Sequence, residues 1–201
     1  SGVTTSGEGL TIIATSVLQG TGASGWTGPI VLNANLFLLS PGTLDLSGAI
    51  SGTGGVTKAS SATGTVRYSG ASANTYTGTT TVEAGTLELD KPAGIDAILG
   101  DLVIGDGSGT DTVRTFGSNL IDNSSDLTMN EGSVLDLQTF IEAVGRATMT
   151  GATVVGTGNT FNPQGSLTVN ASSVSSTINK DLAVTVPTTI NVANGSASTD
   201  L

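Results

Sequence analysis

The chain has 201 residues, of which 29 are glycine, 3% are aromatic and 11% are charged, with a formal net charge of −10 and neither cysteine nor histidine. The lack of cysteine excludes disulfides and thiolate metal sites, and the lack of both residue types excludes cysteine nucleophiles and Ser-His-Asp triads. Six scattered basic residues argue against nucleic acid or an anionic membrane as a partner, because both need clustered Lys and Arg.

The first 25 residues are rich in Gly, Thr and Ser and contain one apolar run, Leu10 to Ile13, so residues 1–25 are predicted to form an irregular first rung. No signal-peptide pattern follows Ser1, and the apolar patch from residue 30 to residue 39 is too short to span a bilayer. We therefore expect a piece of a longer chain, in which residues 26–201 form one continuous domain without direct membrane insertion.

A short phrase occurs three times in the next part of the chain, as GTLDLSG, GTVRYSG and GTLELDK. The copies start at Gly42, Gly64 and Gly85, so their spacing is almost constant. Apolar and polar residues alternate within each copy, as is typical of a strand with one buried face. A repeat of about twenty residues predicts a solenoid in which each turn covers only its neighbours. The sequence therefore predicts an all-β parallel β-helix with roughly eight to ten turns of about 20–25 residues.

Equivalent positions of the three copies are predicted to stack in columns, because parallel strands of a solenoid lie in register. One outward column places Arg67 between two carboxylates, where opposite charges on neighbouring strands are favourable. The two predicted inward columns are Leu44, Val66, Leu87 and Leu46, Tyr68, Leu89, and the outward column is Asp45, Arg67, Glu88.

After Lys91 the repeat becomes looser. The segment KPAGIDAILG, residues 91–100, is the one place where a helical turn is expected. The fragment DLVIG at residue 101 is followed by similar fragments that start at residues 126, 147, 166 and 182. Strands this short also occur in antiparallel sandwiches, but Asn-Gly and Asp-Gly hairpin turns are scarce here, which favours the coil.

The runs SGAISGTGGVTK and ANTYTGTTTVEAGTLELDK resemble the autotransporter-associated β-strand repeat, and the segment that starts DLVIGDGSGTDTVRTFG is similar to its continuation in long bacterial surface proteins. The resemblance covers residues 26–137 and weakens towards residue 169. It implies a right-handed parallel β-helix in an extracellular or cell-surface protein, where it acts as a spacer, fibre or adhesin. It implies no catalytic residues, since the motif is structural.

The two ends of a solenoid carry strand edges without a partner, and no polar cap is evident in this sequence. We therefore expect end-to-end contacts with other copies or with flanking solenoid segments. Surface glycans and other cells are further expected partners.

Two carboxylates, Glu88 and Asp90, are predicted to point outward from one strand at roughly 7 Å from each other, with Asp45 nearby. Glycosidases use two carboxyl groups about 5–9.5 Å apart, so the pair supports an alternative function as a polysaccharide hydrolase or lyase. No aromatic platform for a sugar is evident beside the pair. We predict no enzyme activity, because charged residues on an exposed strand face usually serve solubility.

Asp101, Asp106 and Asp111 are evenly spaced through a glycine-rich segment, and oxygen ligands in a flexible turn suit calcium. The spacing matches neither an EF-hand nor an iterated calcium-binding nonapeptide. We therefore predict a polar turn, with no bound metal and no cofactor.

Two further patterns are weak. Thr43, Thr65 and Thr86 are predicted to form a column, but the residue two positions after each is charged, so β-propensity accounts for them better than an ice-binding array does. Asn-X-Ser acceptor patterns for glycans start at Asn123, Asn170 and Asn194.

Overall fold

A computed structural model describes residues 4–5, 7–184, 188–193 and 195–196. These residues form an all-β fold without a helix, in which parallel sheets stack as a β-solenoid of about nine turns. The prediction of a parallel β-helix is confirmed.

Twenty-three short strands are present among the described residues. In chain order they are β1 (Thr4–Thr5), β2 (Leu10–Ile12), β3 (Ser16–Gln19), β4 (Ala23–Trp26), β5 (Ile30–Leu32), β6 (Leu36–Leu39), β7 (Thr43–Leu46), β8 (Ile50–Gly52), β9 (Val56–Lys58), β10 (Thr65–Tyr68), β11 (Thr75–Tyr76), β12 (Thr80–Val82), β13 (Gly85–Leu89), β14 (Leu102–Ile104), β15 (Asp111–Thr115), β16 (Leu127–Met129), β17 (Val134–Asp136), β18 (Glu142–Val144), β19 (Ala147–Met149), β20 (Thr153–Pro163), β21 (Ser166–Val169), β22 (Thr177–Leu182) and β23 (Thr189–Val192).

The strands form three sheets, which are the walls of the coil. Wall A contains β1, β4, β7, β10, β13, β15, β17, β20 and β22, and β18 pairs with the last part of β20. Wall B contains β2, β5, β8 and β11, and wall C contains β3, β6, β9, β12, β14, β16, β19, β21 and β23. Up to β12 the chain passes through wall A, wall B and wall C in turn, and from β13 onward its strands belong to walls A and C. Each strand of a wall pairs in parallel with the strand one turn away.

The length of one turn varies with the size of the corner loops. Between register partners on wall A, the shortest step along the chain runs from Val134 to Thr153, and the longest runs from Thr86 to Thr112. The extra residues of the longer step lie in the connections between walls, because the register of the strands themselves is kept.

Aliphatic side chains from the three walls fill the narrow interior. Ile30, Leu32, Leu36 and Leu38 are each at most 1% exposed, as the alternation of the sequence predicts. Their neighbours in adjacent turns continue the same columns, so the interior is one continuous apolar core. The core is mainly aliphatic, in keeping with the low aromatic content, and three aromatic side chains are among its largest fully buried members.

Three stretches differ from simple expectation. Before Trp26, β2, β3 and β4 already stack in register on the next turn. Residues 91–100 form no helix. They contain a single turn, in which the backbone N–H of Ile95 donates to the carbonyl of Pro92 at 3.0 Å. Pro92 itself lacks the N–H that a helix interior needs. The fragments that start at residues 101, 126, 147 and 166 contain strands of wall C, and the sequence groups the fragment at residue 182 with them. That prediction is wrong, because Leu182 pairs with Phe161 on wall A and the next strand of wall C is β23.

Candidate functional site

The outward column predicted from the repeated phrase exists on wall A. Arg67 of β10 lies opposite Asp45 of β7 on one side and Glu88 of β13 on the other. The two inward columns are also confirmed, since Val66 pairs with Leu44 and Leu87 in the same ladders. Alternation decides this arrangement: a slip of one residue would turn the leucines outward and the charges inward.

The column continues for two more turns with alternating sign. Glu88 lies opposite Arg114, and Arg114 lies opposite Asp136. We call the five residues Asp45, Arg67, Glu88, Arg114 and Asp136 the charge ladder. The sequence holds the signal for the last two, because Thr-Val-Arg at residues 112–114 repeats residues 65–67, and Leu-Asp-Leu at 135–137 repeats 44–46.

Ion pairs within the charge ladder are close but unevenly distributed. Arg67 Nη2 lies 2.8 Å from the Glu88 carboxylate and Nη1 lies 3.5 Å from that of Asp90, while Arg114 Nε lies 2.9 Å from Asp136. The hydrogen bond to Glu88 raises the pKa of Arg67 above its ordinary value. Asp45 instead accepts a hydrogen bond from the Ser69 hydroxyl at 2.6 Å.

The carboxylates of Glu88 and Asp90 therefore share one guanidinium. Their best supported role is to hold Arg67, because both negative charges already face a cation.

The structure corrects one expectation about this pair. Phe116 follows β15 and is the outward neighbour of Asp90. Its ring centroid lies 5.9 Å from the guanidinium carbon of Arg67, and 40% of the residue is exposed. An aromatic ring is thus present beside the pair, brought there from the next turn.

The three evenly spaced aspartates do not converge. Asp101 precedes β14 and accepts the backbone N–H of Asp126, whereas Asp106 lies in the turn after β14 and accepts the N–H and hydroxyl of Ser108. Asp111 begins β15 and is 1% exposed, and burial raises its pKa. Within the described ranges no group of three Asp, Glu, His or Cys side chains could hold a metal ion.

The threonine column on wall A is present and longer than predicted. Thr43, Thr65 and Thr86 stack in register, and Thr112 follows. On wall C, a second outward column contains Thr57, Thr81, Thr128, Thr148 and Thr168, with Val103 between the second and third.

Of the three glycan acceptor positions, Asn123 and Asn170 are exposed in connections between strands. Asn194 lies outside the described residues.

Sequence reasoning missed a group of polar side chains that are buried in the wall. Asn74 Oδ1 accepts the N–H of Ile50 at 3.0 Å, and its Nδ2 donates to the carbonyl of Ala97 at 2.9 Å. Ile50 belongs to the turn before and Ala97 to the turn after. The side chain therefore replaces backbone pairing across wall B, where the ladder of strands ends at β11.

Glu142 has a similar position further along the coil. It is 0% exposed, and its carboxylate accepts the N–H groups of Leu120 at 3.0 Å and Ile121 at 3.3 Å. Burial raises its pKa from the ordinary value of 4.5 to about 8, against the opposing effect of these hydrogen bonds. Its carboxylate accepts backbone N–H groups of the preceding turn, which indicates a structural role in satisfying N–H groups that lack a strand partner.

Lys58 is the third such residue. It ends β9, takes an interior position beside Leu38 and Val82, and is 1% exposed. Its ammonium group donates to the carbonyl of Ala62 at 2.7 Å and to that of Ala84. Burial lowers its pKa from 10.5 to about 8, and the nearby Asp111 opposes this shift. The geometry indicates that Lys58 ties two corner loops together.

No helix in the described part of the chain has the length and apolar character needed to cross a membrane. No protein-family model, curated protein or solved structure matches this chain.

Proposed function

We propose that the chain is a structural and interaction module: a β-helical shaft of a secreted or cell-surface bacterial protein that acts as a spacer, fibre or adhesin. The observation that carries the proposal is the constant register of wall A from β4 to the first part of β20, within which the charge ladder and its neighbouring columns keep one alignment from turn to turn. The register shifts where β20 pairs with β22. A stack of this kind is extended and stiff, because each turn is held by the turns before and after it along the axis.

The distribution of positive charge supports partners other than nucleic acid and membranes. Arg67, Arg114 and Arg146 are each in an ion pair with a carboxylate. Lys58 and Lys91 are buried, and their ammonium groups donate hydrogen bonds to backbone carbonyl groups. Little basic surface is thus available for phosphate groups. The partners proposed instead are flanking solenoid segments or copies, surface glycans and other cells.

Two measurements test the shaft proposal. Small-angle X-ray scattering of the purified chain should give a rod roughly 40 Å long, from about nine turns at about 4.8 Å each, and a tandem duplicate should be twice as long. Antibodies against the chain should label intact cells of the producing bacterium. A compact tandem duplicate, or labelling that needs permeabilised cells, would contradict the proposal.

The alternative function, a carbohydrate-active β-helix enzyme, is favoured by one observation, the exposed ring of Phe116 beside Glu88 and Asp90. An apolar ring can stack on the C–H face of a sugar while carboxylates and a guanidinium bind its hydroxyls. Release of reducing ends from a panel of polysaccharides, lost in Glu88→Gln, would support the enzyme. Binding of a glycan without cleavage, weakened by Phe116→Ala, would support an adhesin instead.

A further inference from the structure

Three consecutive corners between wall C and wall A border one cleft on the side of the coil. The connection from β9 to β10 is long (residues 59–64), that from β12 to β13 has only residues 83 and 84, and that from β14 to β15 is long again (residues 105–110). The strands on both sides of these corners keep their register, so the short middle corner is recessed between the two long ones. The resulting cleft has a volume of about 360 Å³, and three carboxylate residues line it, Glu83, Asp106 and Asp111.

Asp111 is the residue of this cleft whose hydrogen bonding is incomplete. It is 1% exposed, and its Oδ2 atom is buried without a hydrogen-bond partner. A buried carboxylate oxygen is costly unless a donor reaches it. Burial raises the pKa of Asp111, and the carboxylates of Asp106 and Glu83 raise it further, so the negative charges of the cleft act on one another. A positively charged donor in the cleft would relieve both effects.

The other two carboxylates are placed to accept from a ligand as well. Glu83 Oε2 accepts the N–H of Ser60 at 3.2 Å, and Asp106 Oδ1 accepts the N–H and the hydroxyl of Ser108 at 2.9 and 2.7 Å. Each bond engages one oxygen of its carboxylate, and an ionised carboxylate has about four acceptor positions. The ion pairs of the described residues involve other carboxylates.

The basic residues of the chain leave the charge of the cleft largely uncompensated. Lys58 acts on Asp111 from the interior, but its ammonium group donates to the carbonyls of Ala62 and Ala84. The three arginines are paired with carboxylates elsewhere on the coil. Three carboxylates therefore face one ammonium group, and the matching cation has to come from another molecule.

The spacing of the carboxylates favours an extended cation over a metal ion. Calcium needs several oxygen ligands at 2.3–2.6 Å, and no group of three acidic side chains in the described part of the chain could hold a metal. A guanidinium is planar and carries five N–H donors, so it can bind carboxylates that do not converge on one point. Arginine is thus the side chain whose shape and charge suit the cleft.

We propose that this cleft binds an exposed arginine side chain of a partner protein, whose guanidinium donates to the carboxylates of Glu83, Asp106 and Asp111. The site is a corner on the side of the coil and lies in the middle of the sequence. The inference therefore goes beyond the shaft function and does not depend on it.

Nuclear magnetic resonance of the isotope-labelled chain tests the proposal directly. Titration with N-acetyl-arginine amide should give saturable shifts of the backbone N–H signals of Ser108, Gly109 and Thr110, which line the cleft. N-acetyl-citrulline amide has nearly the same shape without the charge and should give none. Calcium chloride at the same concentrations should also give no saturable shift there.

Two sets of variants locate the binding. Asp111→Asn and the double variant Glu83→Gln/Asp106→Asn should each weaken binding by at least about tenfold, as expected when a charge-assisted hydrogen bond is lost. Asp101→Asn is the matched control, because Asp101 is exposed in the same segment but does not line the cleft. The double variant changes residues at the mouth of the cleft and keeps the test decisive if Asp111→Asn does not fold, which circular dichroism checks.

The inference would be overturned by the absence of saturable shifts, by equal shifts with the citrulline compound, or by equal weakening in Asp101→Asn. Saturable shifts with calcium chloride would identify a metal site and would overturn it too. None of these results changes the rod length measured by X-ray scattering, so failure of this inference is distinguishable from failure of the shaft proposal.

Discussion

Arg67 and Glu88 lie directly opposite each other on neighbouring parallel strands, with 2.8 Å between the guanidinium Nη2 and the carboxylate. The side chain of Glu88 is only 12% exposed, whereas that of Arg67 is 39% exposed. The contact is therefore shielded on one side and open on the other. Its main effect is on alignment, because it is satisfied in only one register of the two strands.

The first prediction concerns the charge at position 67. Arg67→Ala should lower the free energy of unfolding by about 0.5–1 kcal/mol, and Arg67→Glu by about 1–2 kcal/mol, because it places like charges beside Glu88, Asp90 and Asp45. Added salt should narrow the difference between the two variants. Urea denaturation at low and high salt measures both effects.

Arg146 provides the matched control for this prediction. It pairs with Asp126, but its side chain is 70% exposed, so Arg146→Glu should cost less than Arg67→Glu. Equal losses at the two positions would show that the charge ladder has no special effect on register.

The second prediction concerns the pH dependence of stability that Glu142 causes. Its pKa is about 8 in the folded chain and near 4.5 when unfolded, so the folded chain binds this proton more tightly. Stability from this group is therefore greatest below about pH 4.5 and falls as the pH rises to about 8, by up to about 5 kcal/mol. Glu142→Gln should remove that part of the slope.

The measurement is the free energy of unfolding of both proteins from pH 4.5 to 8. The exposed Glu131→Gln serves as the control variant and should follow the native profile. A Glu142→Gln profile parallel to the native one would contradict the assignment.

The third prediction concerns Lys58, for which the sign is reversed. Its pKa is lowered to about 8 in the folded chain, so the unfolded chain binds the proton more tightly. Stability from this group should rise with pH between about 8 and 10.5, by about 3 kcal/mol. Lys58→Met and Lys58→Arg should both lose this rise, since neither side chain titrates there. Thermal melts across this pH range would measure it, and a rise retained in Lys58→Met would refute the prediction.

The fourth prediction concerns close backbone approach at the corners. A Cβ atom on Gly48 would lie 1.9 Å from the carbonyl oxygen of Gly28 one turn away, so Gly48→Ala must displace the backbone. We expect a loss of about 1–3 kcal/mol. In Gly9→Ala the nearest atom, on the Pro29 ring, is 3.6 Å away, and the change should be within about 0.5 kcal/mol. Denaturation midpoints that shift equally for both variants would contradict this account.

The sequence by itself determined the coil and its alignment where the repeated phrase is intact. Leu44, Val66 and Leu87 occupy one interior column, as predicted, because a strand with one buried face tolerates a single register. The same signal weakens where corner loops change length. The fragment at residue 182 therefore resembles a wall C strand in sequence but pairs elsewhere.

Only the tertiary structure decided which polar groups lie inside and which side chains from different turns meet. Lys58 and Glu142 have charged side chains, which are usually exposed to solvent. They are buried here because carbonyl and N–H groups of other turns need partners. Phe116 reaches Arg67 although the two are far apart in sequence, because stacking of turns brings distant segments into contact. Periodicity is a local property that a sequence displays directly, whereas contacts between turns depend on loop lengths that vary without a pattern.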